Sequence, residues 1–367
     1  MATEPRSHSE YTVGWVCALP KEQTAATAML DDIHPDLHKP ANDNNTYTLG
    51  SIGKHKIVIA CLPKGEYGTN AAAMVATRMV STFPCIKVGL MVGTGGGIPP
   101  KVQLGDVVVS VPSDKYPGVV QWDFGKAEKD GKFRRTGALN KPPRALLTAL
   151  TKLETRHEMQ GSKINHYLDD LKDKWPSMAA KYSRPGPYNV PVSVPEDGRR
   201  YPNILRNTFS TFGETILVLF WYFLGLMGLV PTSEEFKVTR GGIITSSNTS
   251  TGMNKEKPRD IRVHYGLIAS GNKVIKDAQL RDALNDSLGG KLLCVEMEAA
   301  GLMDQFPCIV IRGICDYADS QKNKDWQNYA AVVAAAYAKE LLEHVQSSDI
   351  SGERPVKDIL DKNFQSL

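Results

Sequence analysis

Residues 11–30, YTVGWVCALPKEQTAATAML, join a continuous apolar run to a segment with helical spacing. The apolar part, 11–19, is typical of a buried strand, and the chain then runs directly into a helix. The same alternation recurs along most of the sequence, which predicts an α/β fold around a mostly parallel or mixed sheet. The further predicted strands lie at 56–62, 88–93, 105–110, 263–270 and 308–317, and the further helices at 69–83, 142–154, 275–288 and 328–345.

The composition is that of a soluble globular protein. The chain has 367 residues, of which 41% are hydrophobic and 23% charged, so it can form one large domain or two smaller ones. Its net charge of +4 is mild and lacks the concentrated basic face of a nucleic-acid-binding protein. We therefore expect no nucleic-acid partner, and the basic segment 132–137, KFRRTG, favours a solvated hairpin or loop.

The six cysteines are spread along the chain and form no CxxC pair or zinc-type spacing. This pattern predicts buried free thiols in a reducing, cytoplasmic compartment, and no metal site. The N-terminal stretch MATEPRSHSE is too polar for a secretory signal.

Residues 157–260 interrupt the strand–helix alternation and are predicted to be an irregular insertion. Within them, the segment 215–230, TILVLFWYFLGLMGLV, contains fifteen uninterrupted apolar residues, fewer than the roughly 18–20 that span a bilayer. Three interpretations stay open, namely a packed apolar helix, a membrane contact, or an abnormal insertion such as translated non-coding sequence. The predicted boundaries are a polar tail at 1–10, a domain at 11–345 and a linker or tail at 346–367.

A glycine-rich segment, GTGGGIPP at 93–100, follows one of the predicted strands. A dinucleotide-binding loop would need a helix to open on its last glycine, and Pro99 and Pro100 disfavour that helix. The glycines still allow the backbone to approach a ligand closely, and Thr94 offers a hydroxyl there. A tight turn without a ligand is the alternative.

Two acidic residues follow predicted strands. Asp316, in IRGICDYADS at 311–320, emerges from an apolar strand at its carboxyl end, where ligands bind in α/β sheets. It is a candidate general acid, although an aspartate here can also cap the next helix, a role that suits Asp319 better. Glu22 lies just past the first strand, where a first-turn carboxylate also complements the helix dipole without any catalytic function.

Glu296 and Glu298 stand inside the apolar run LCVEMEAAGL, residues 293–302. The run passes from strand-like residues into small, helix-forming ones, so the two glutamates straddle the junction. Two residues apart, they share a face on a strand but diverge on a helix. This position argues against a catalytic carboxylate pair.

Together these segments resemble the purine/uridine phosphorylase superfamily, in particular its methylthioadenosine/S-adenosylhomocysteine nucleosidases. Within it, the sequence is most similar to the fungal branch fused to ankyrin repeats or to NTPase domains of immune-type receptors. The resemblance covers 11–135 and 262–345 and implies a single domain with a central mixed β-sheet flanked by helices. The matching pieces are VGWVCALPKE, GTGGGIPPKVQLGDVVVS, HYGLIASGNKVIKD, CVEMEAAG and RGICDYAD.

The resemblance implies cleavage of the N-glycosidic bond of a purine, adenine-type nucleoside or nucleotide. Asp316 matches the aspartate that protonates or hydrogen-bonds the purine ring nitrogen, and Glu22 matches the glutamate that activates water. Glu298 matches a ligand of the ribose hydroxyls, and Val274 replaces a phenylalanine that commonly stacks on the base. The residues assigned to substrate binding are Thr94, Gly95, Gly96, Val274, Ile275, Met297, Glu298 and Arg312.

The choice between hydrolysis and phosphorolysis depends on two departures from the phosphorylases. Met91 stands where they usually carry a phosphate-binding arginine, and the first strand ends in LPKE instead of a GDP-type loop. Both departures predict water as the nucleophile, with no cofactor. A phosphorylase that recruits inorganic phosphate through Lys21 or Arg312 is the first alternative, and a catalytically weak nucleoside-sensing or signalling module is the second. The family also implies a homo-oligomer.

Overall fold

A computed structural model of the chain describes residues 6–129, 133–186, 237–239, 242–244, 259–322 and 324–365. The chain divides into two units, one formed by 1–196 with 261–367 and the other by 197–260. In the second unit the structure describes a short antiparallel pair, Lys237–Thr239 with Gly242–Ile244. The apolar segment 215–230 lies outside the described residues. Among the described residues, no helix combines the length and apolarity needed to cross a membrane.

The strands alternate with helices as the sequence predicts, with additional short strands between them. In chain order the strands are β1 (Val13–Cys17), β2 (Asp32–His34), β3 (Tyr47–Ile52), β4 (His55–Cys61), β5 (Val88–Gly97), β6 (Val107–Ser110), β7 (Val119–Gln121), β8 (Gly125–Ala127), β9 (Phe133–Arg135), β10 (Lys237–Thr239), β11 (Gly242–Ile244), β12 (Val263–Ser270), β13 (Leu292–Glu296) and β14 (Cys308–Asp316). The helices are α1 (Pro20–Ala28), α2 (Thr69–Thr82), α3 (Arg144–Gln160), α4 (Ile164–Lys174), α5 (Pro176–Tyr182), α6 (Ala278–Ser287), α7 (Gln327–His344), α8 (Ser347–Gly352) and α9 (Val356–Gln365).

The main sheet is mixed and large, which confirms the predicted fold class. Its strand order is β13-β12-β6-β14-β5-β1-β4-β3-β2, with β7 beside β12. Strand β13 also pairs antiparallel with β5, so that β5, β14, β6, β12 and β13 form a closed ring. The alanine-rich helix α7 is buried along most of its length and packs on β14 and β5. The ring and α7 together hold the carboxyl ends of the central strands in fixed positions.

The glycine run is part of a strand, whereas the sequence predicted a loop there. Strand β5 continues to Gly97, because Gly96 pairs with Asp316 of β14 on one side and with Val295 of β13 on the other. Backbone partners on both sides make the extended conformation favourable even for glycines, which have low strand propensity.

The first part of the predicted irregular insertion is regular helix. Helix α3 extends to Gln160, and α4 and α5 follow it. They are fixed on α7 by hydrogen bonds from Tyr167 Oη to Glu343 (2.7 Å) and from Ser162 Oγ to Glu340 (2.8 Å). The polar composition that obscured these helices therefore reflects partly exposed helices with polar contacts to their neighbour.

The C-terminal residues were predicted to be a linker or tail, yet the structure folds them into α8 and α9. Ile350 and Val356 are buried in the core, and Val356 N donates to Ile86 O at 2.8 Å. A few apolar side chains in a mostly polar segment suffice to anchor it, since each buried one contributes on the order of 1.5–3 kcal/mol. By contrast, the segment 132–137 was predicted to be a solvated hairpin or loop, and its residues Phe133–Arg135 form the second strand of the antiparallel pair β8–β9.

Candidate active site

The candidate catalytic residues come from the carboxyl ends of three adjacent strands. Strands β1, β5 and β14 run parallel to one another in the order β14-β5-β1. Glu22 follows β1 in the first turn of α1, Thr94 lies near the end of β5, and Asp316 ends β14. Parallel strands present their carboxyl ends at one edge of the sheet, and the three predicted residues are therefore brought to the same edge.

Glu22 is almost fully buried, with 3% of its surface exposed. Its Oε2 accepts hydrogen bonds from the backbone N–H groups of Ala18 (2.8 Å) and Leu19 (3.0 Å). Its Oε1 accepts from Thr94 N at 2.8 Å and from Thr94 Oγ1 at 3.2 Å. One oxygen thus caps α1, as the helix-dipole alternative predicted, and the other accepts hydrogen bonds from Thr94 of β5.

Arg312 lies at the centre of a buried charge cluster that the sequence did not reveal. Its Nη2 donates to Glu296 Oε2 in a very short contact and lies 3.5 Å from Glu298 Oε2, and its Nη1 donates to Thr94 O at 3.3 Å. We call Arg312, Glu22, Glu296 and Glu298 the Arg312 cluster. Each of the four side chains is buried.

The cluster carries three carboxylates for one guanidinium, and this imbalance affects its ionisation. Burial raises the pKa of Glu298 to about 7, despite the opposing effect of Arg312. For Arg312, burial alone would lower the pKa, but Glu296, Glu298 and Glu22 raise it above its usual value. The cation is therefore permanent, while a carboxylate can gain or lose a proton.

Glu296 has a supporting position within the cluster. Besides Arg312, its carboxylate accepts from Glu298 N at 3.1 Å and from Ala299 N at 3.1 Å. Strand β13 ends at Glu296, and the 3-10 helix Ala299–Gly301 begins three residues later. The predicted junction between strand and helix is therefore confirmed. Glu296 binds the backbone of the turn, whereas Glu298 accepts a hydrogen bond from Gly68 N at 3.3 Å.

Two glycines of β5 make room for these side chains. A Cβ at Gly93 would lie 2.6 Å from both Arg312 Nη1 and Glu22 Oε1, so these two atoms converge on one point beside the strand. A Cβ at Gly96 would lie 3.0 Å from Asp316 Oδ1. The bare backbone of β5 therefore lines the site between the Arg312 cluster and Asp316.

Asp316 is separate from the cluster and has its own partners. It is 1% exposed. Its Oδ1 accepts from Ala318 N at 2.9 Å, and its Oδ2 accepts from Cys315 Sγ at 3.1 Å and forms an ion pair with Lys322 Nζ at 3.2 Å. Lys322 was not predicted, because it belongs to a polar stretch without a recognisable pattern.

The residues expected to contact the base and sugar lie around these groups. Val274, in the loop after β12, is 48% exposed, whereas Ile275 is buried in a small apolar cluster with Ala318 and Val295. Met297 is half-buried between the two glutamates of the cluster. The loop before α6 and the turn after Asp316 thus share a common apolar support.

Further side chains that the sequence did not single out hold the segment next to Glu298. Asn272 Oδ1 accepts from Thr69 N and from Thr69 Oγ1, both at 3.0 Å, and Asn272 N donates to Asp123 Oδ2 at 2.7 Å. These bonds fix the segment that presents Gly68 N to Glu298. The signal available in the sequence was only the SGN triplet at the end of a strand.

Lys21 does not face the cluster, because its Nζ donates to Gln327 Oε1 at 2.9 Å. Of the two residues considered for recruiting phosphate, only Arg312 lies among the candidate catalytic groups. Among the residues that the structure describes, no three His, Cys, Asp or Glu side chains are grouped so as to hold a metal ion.

Comparison with known proteins finds similarity to nucleosidases and to one family model. Residues 12–157 match the model of the phosphorylase superfamily. A nucleotide-binding leucine-rich repeat (NLR)-like protein of Hyaloscypha variabilis is 43% identical over 342 residues, and an ATP nucleosidase Cap17 of Escherichia coli is 25% identical over 282 residues. The alignments cover 91% and 76% of this chain but only 29% and 40% of those proteins.

Solved structures share the fold. The 5'-methylthioadenosine/S-adenosylhomocysteine nucleosidase of S. pneumoniae, solved with a transition-state inhibitor, superposes with a TM-score of 0.52 at 15% identity. The match covers 91% of this chain and 100% of that one. The resemblance inferred from the sequence motifs is confirmed.

Proposed function

We propose that this chain is a member of the phosphorylase superfamily that hydrolyses the N-glycosidic bond of adenine-type nucleosides or nucleotides and releases the free base. Asp316 serves as the acid toward the departing base, and Glu22 positions and activates water. Glu298 accepts hydrogen bonds from the ribose hydroxyls, with Met297 beside the sugar.

The excess of negative charge in the Arg312 cluster is the observation that carries this proposal. Cleavage of a glycosidic bond passes through an oxocarbenium-like transition state, so the sugar becomes positively charged. Fixed carboxylates in a site that excludes water stabilise such a charge strongly. The same carboxylates disfavour a phosphate dianion, and they already occupy the guanidinium of Arg312.

We place the nucleophilic water next to Glu22 Oε1, the oxygen that faces Thr94. Glu22 Oε1 can accept a proton from that water, while Arg312 Nη1 and the Thr94 hydroxyl orient it. Asp316 lies next to Gly96, separate from the Arg312 cluster, and there it contacts the base. An acid near the leaving group and a base near water are the arrangement that glycoside hydrolysis requires.

The substrate class rests on the relatives. An ATP nucleosidase and methylthioadenosine nucleosidases share adenine but differ at the 5′ position, so we propose adenine as the recognised base. The exposed Val274 offers little stacking surface, and recognition then depends on Asp316 and the backbone near Ile275.

Product analysis tests the proposal directly. The purified chain is incubated with adenosine, methylthioadenosine, AMP, ATP, inosine and uridine, each with and without inorganic phosphate, and the released base and sugar are separated by chromatography. We expect free adenine and the free sugar at equal rates in both conditions. Ribose 1-phosphate formed only with phosphate would contradict hydrolysis, and the absence of base from all six compounds would contradict the activity itself. Glu22→Gln serves as the inactive control.

A phosphorylase is the second candidate. Arg312 Nε is buried and has no hydrogen-bond partner among the described residues, so a phosphate that reached it would satisfy this nitrogen. The same product analysis distinguishes the two reactions.

The similarity to part of an NLR-like protein also suggests that the nucleosidase works as one unit of a larger receptor. In that case hydrolysis would be the signalling output. We further propose a homo-oligomer, which sedimentation of the purified chain would test.

A further inference from the structure

We propose that Lys322 supplies the proton that Asp316 passes to the leaving base. This inference rests on the proposed nucleosidase activity and extends it by one residue. Two observations support it: the hydrogen-bond donors that surround Asp316, and the turn that brings Lys322 back to Asp316.

The Asp316 carboxylate receives only donors from its described neighbours. The Ala318 N–H points to Oδ1 at 2.9 Å, and the Cys315 thiol and the Lys322 ammonium approach Oδ2 at 3.1 and 3.2 Å. A carboxylic acid would need an acceptor for its own proton, and these three described neighbours are placed as donors. The geometry therefore points to another group as the source of the proton.

The proton for the base must then come from one of these donors or from solvent. A peptide N–H is not acidic, and burial raises the pKa of the Cys315 thiol well above its usual range. Asp316 is 1% exposed, so solvent does not reach it directly, whereas the Lys322 side chain is 25% exposed. Lys322 therefore contacts both the buried carboxylate and the solvent.

The turn after β14 is built to return Lys322 to Asp316. Ala318 adopts φ of +53°, a left-handed conformation that is uncommon for a residue other than glycine. Asp319 then accepts from Gln321 N at 3.1 Å through its side chain and from Lys322 N at 3.2 Å through its carbonyl. Asp319 thus stabilises this turn and does not cap the next helix, which begins at Gln327.

The turn is anchored from outside by a buried arginine. Arg281 of α6 donates from Nη1 to Tyr317 O at 2.8 Å and lies 3.9 Å from Asp319 Oδ2. Arg281 pairs mainly with Asp282, through Nε at 2.7 Å, whereas Lys322 is the charged partner of Asp316. We call these two residues the Asp316–Lys322 pair.

The step balances in atoms and charge. The bond between C1′ and the base nitrogen breaks, and its electrons pass to the purine ring. The ring nitrogen takes a proton from Lys322 through the Asp316 carboxylate, while water bonds to C1′ and gives a proton to Glu22. Glu22 then releases that proton to solvent and the Lys322 amine regains one, so the net reaction consumes one water.

Two variants, Lys322→Arg and Lys322→Met, test whether Lys322 acts by donating a proton or only by its positive charge. Arginine keeps the positive charge but cannot give up its proton. We expect both variants to lower kcat for adenosine by about 10²-fold, within the range of a positioned acid. Wild-type turnover in Lys322→Arg would overturn the proposal, because a fixed positive charge would then suffice. Lys324→Met, an exposed lysine two residues further on, is the matched control and should retain wild-type turnover.

Two further measurements exclude a folding defect. Methylammonium should restore part of the activity of Lys322→Ala, whereas guanidinium at the same concentration should not. With 4-nitrophenyl riboside, whose leaving group departs without a proton, Lys322→Met should show no loss relative to wild type. Equal losses on both substrates, or no rescue by the amine, would overturn the proton role. If wild-type protein itself releases no base, the proposed function fails and this inference fails with it.

Discussion

The Arg312 cluster and the Asp316–Lys322 pair lie beside the same glycine-lined strand but differ in net charge and in exposure to solvent. The cluster places three carboxylates around one buried cation, and all four of its side chains are buried. The pair places one carboxylate against one cation that is partly exposed. A sealed, net negative cluster can stabilise a developing positive charge, whereas a neutral pair open to solvent can exchange a proton.

The largest effect is expected from removing the cation of the cluster. Arg312→Met leaves the surrounding carboxylates buried without a counter-charge, and we expect the free energy of unfolding to fall by about 3–5 kcal/mol. Urea unfolding at neutral pH measures this loss.

Arg281→Met is the matched control for that experiment, since it also removes a buried arginine. The charged partner of Arg281, Asp282, is 58% exposed and can return to water. We expect a clearly smaller loss of stability. Equal losses in the two variants would contradict the view that Arg312 compensates a sealed negative cluster.

The next largest effect is a loss of turnover, and it distinguishes the acid in the Asp316–Lys322 pair from the base in the Arg312 cluster. Asp316→Asn should lower kcat for a purine nucleoside by about 10²–10⁴-fold with substrate binding largely kept, because the variant cannot relay a proton. Glu22→Gln should show a loss of similar size on purine nucleosides and also on 4-nitrophenyl riboside, since water must be activated for either leaving group. Near wild-type turnover of Asp316→Asn would contradict its role as the acid.

The smallest effect concerns the pH dependence of stability. Because burial raises the pKa of Glu298 from 4.5 to about 7, the folded state binds this proton more tightly than the unfolded state. The stability contributed by the protonated group is fully present below pH 4.5 and is lost as the pH rises through about 7. Each tenfold difference in proton affinity corresponds to about 1.4 kcal/mol.

Glu298→Gln should therefore remove part of the decrease in stability between mildly acidic and neutral pH, as measured by urea unfolding across that range. Glu340→Gln is the control, because the pKa of Glu340 is lowered in the folded state whereas that of Glu298 is raised. Its burial would raise the pKa, but hydrogen bonds from His157, Lys163 N and Ser162 lower it, so its contribution is lost on acidification. An unchanged pH profile in Glu298→Gln would show that the cluster does not titrate through Glu298.

Much of the fold could be predicted from periodicity alone. The predicted strand 263–270 has the bounds of β12, and the helix predicted at 328–345 differs from α7 by one residue at each end. Long apolar or regularly spaced segments make such predictions possible, since burial on a sheet dominates their energetics. Polar helices such as α4, and short anchors such as Val356 in α9, were missed because a few contacts to distant residues decide them.

The same division holds for the site. The sequence by itself determined the family resemblance, the sheet that brings Glu22, Thr94 and Asp316 to one edge, and the junction that separates Glu296 from Glu298. Only the tertiary structure decided which charges meet, namely Arg312 with three carboxylates and Lys322 with Asp316. The reason is physical: strand and helix patterns are local in the chain, whereas a buried charge is stable only beside a partner, and here those partners come from separate strands and turns.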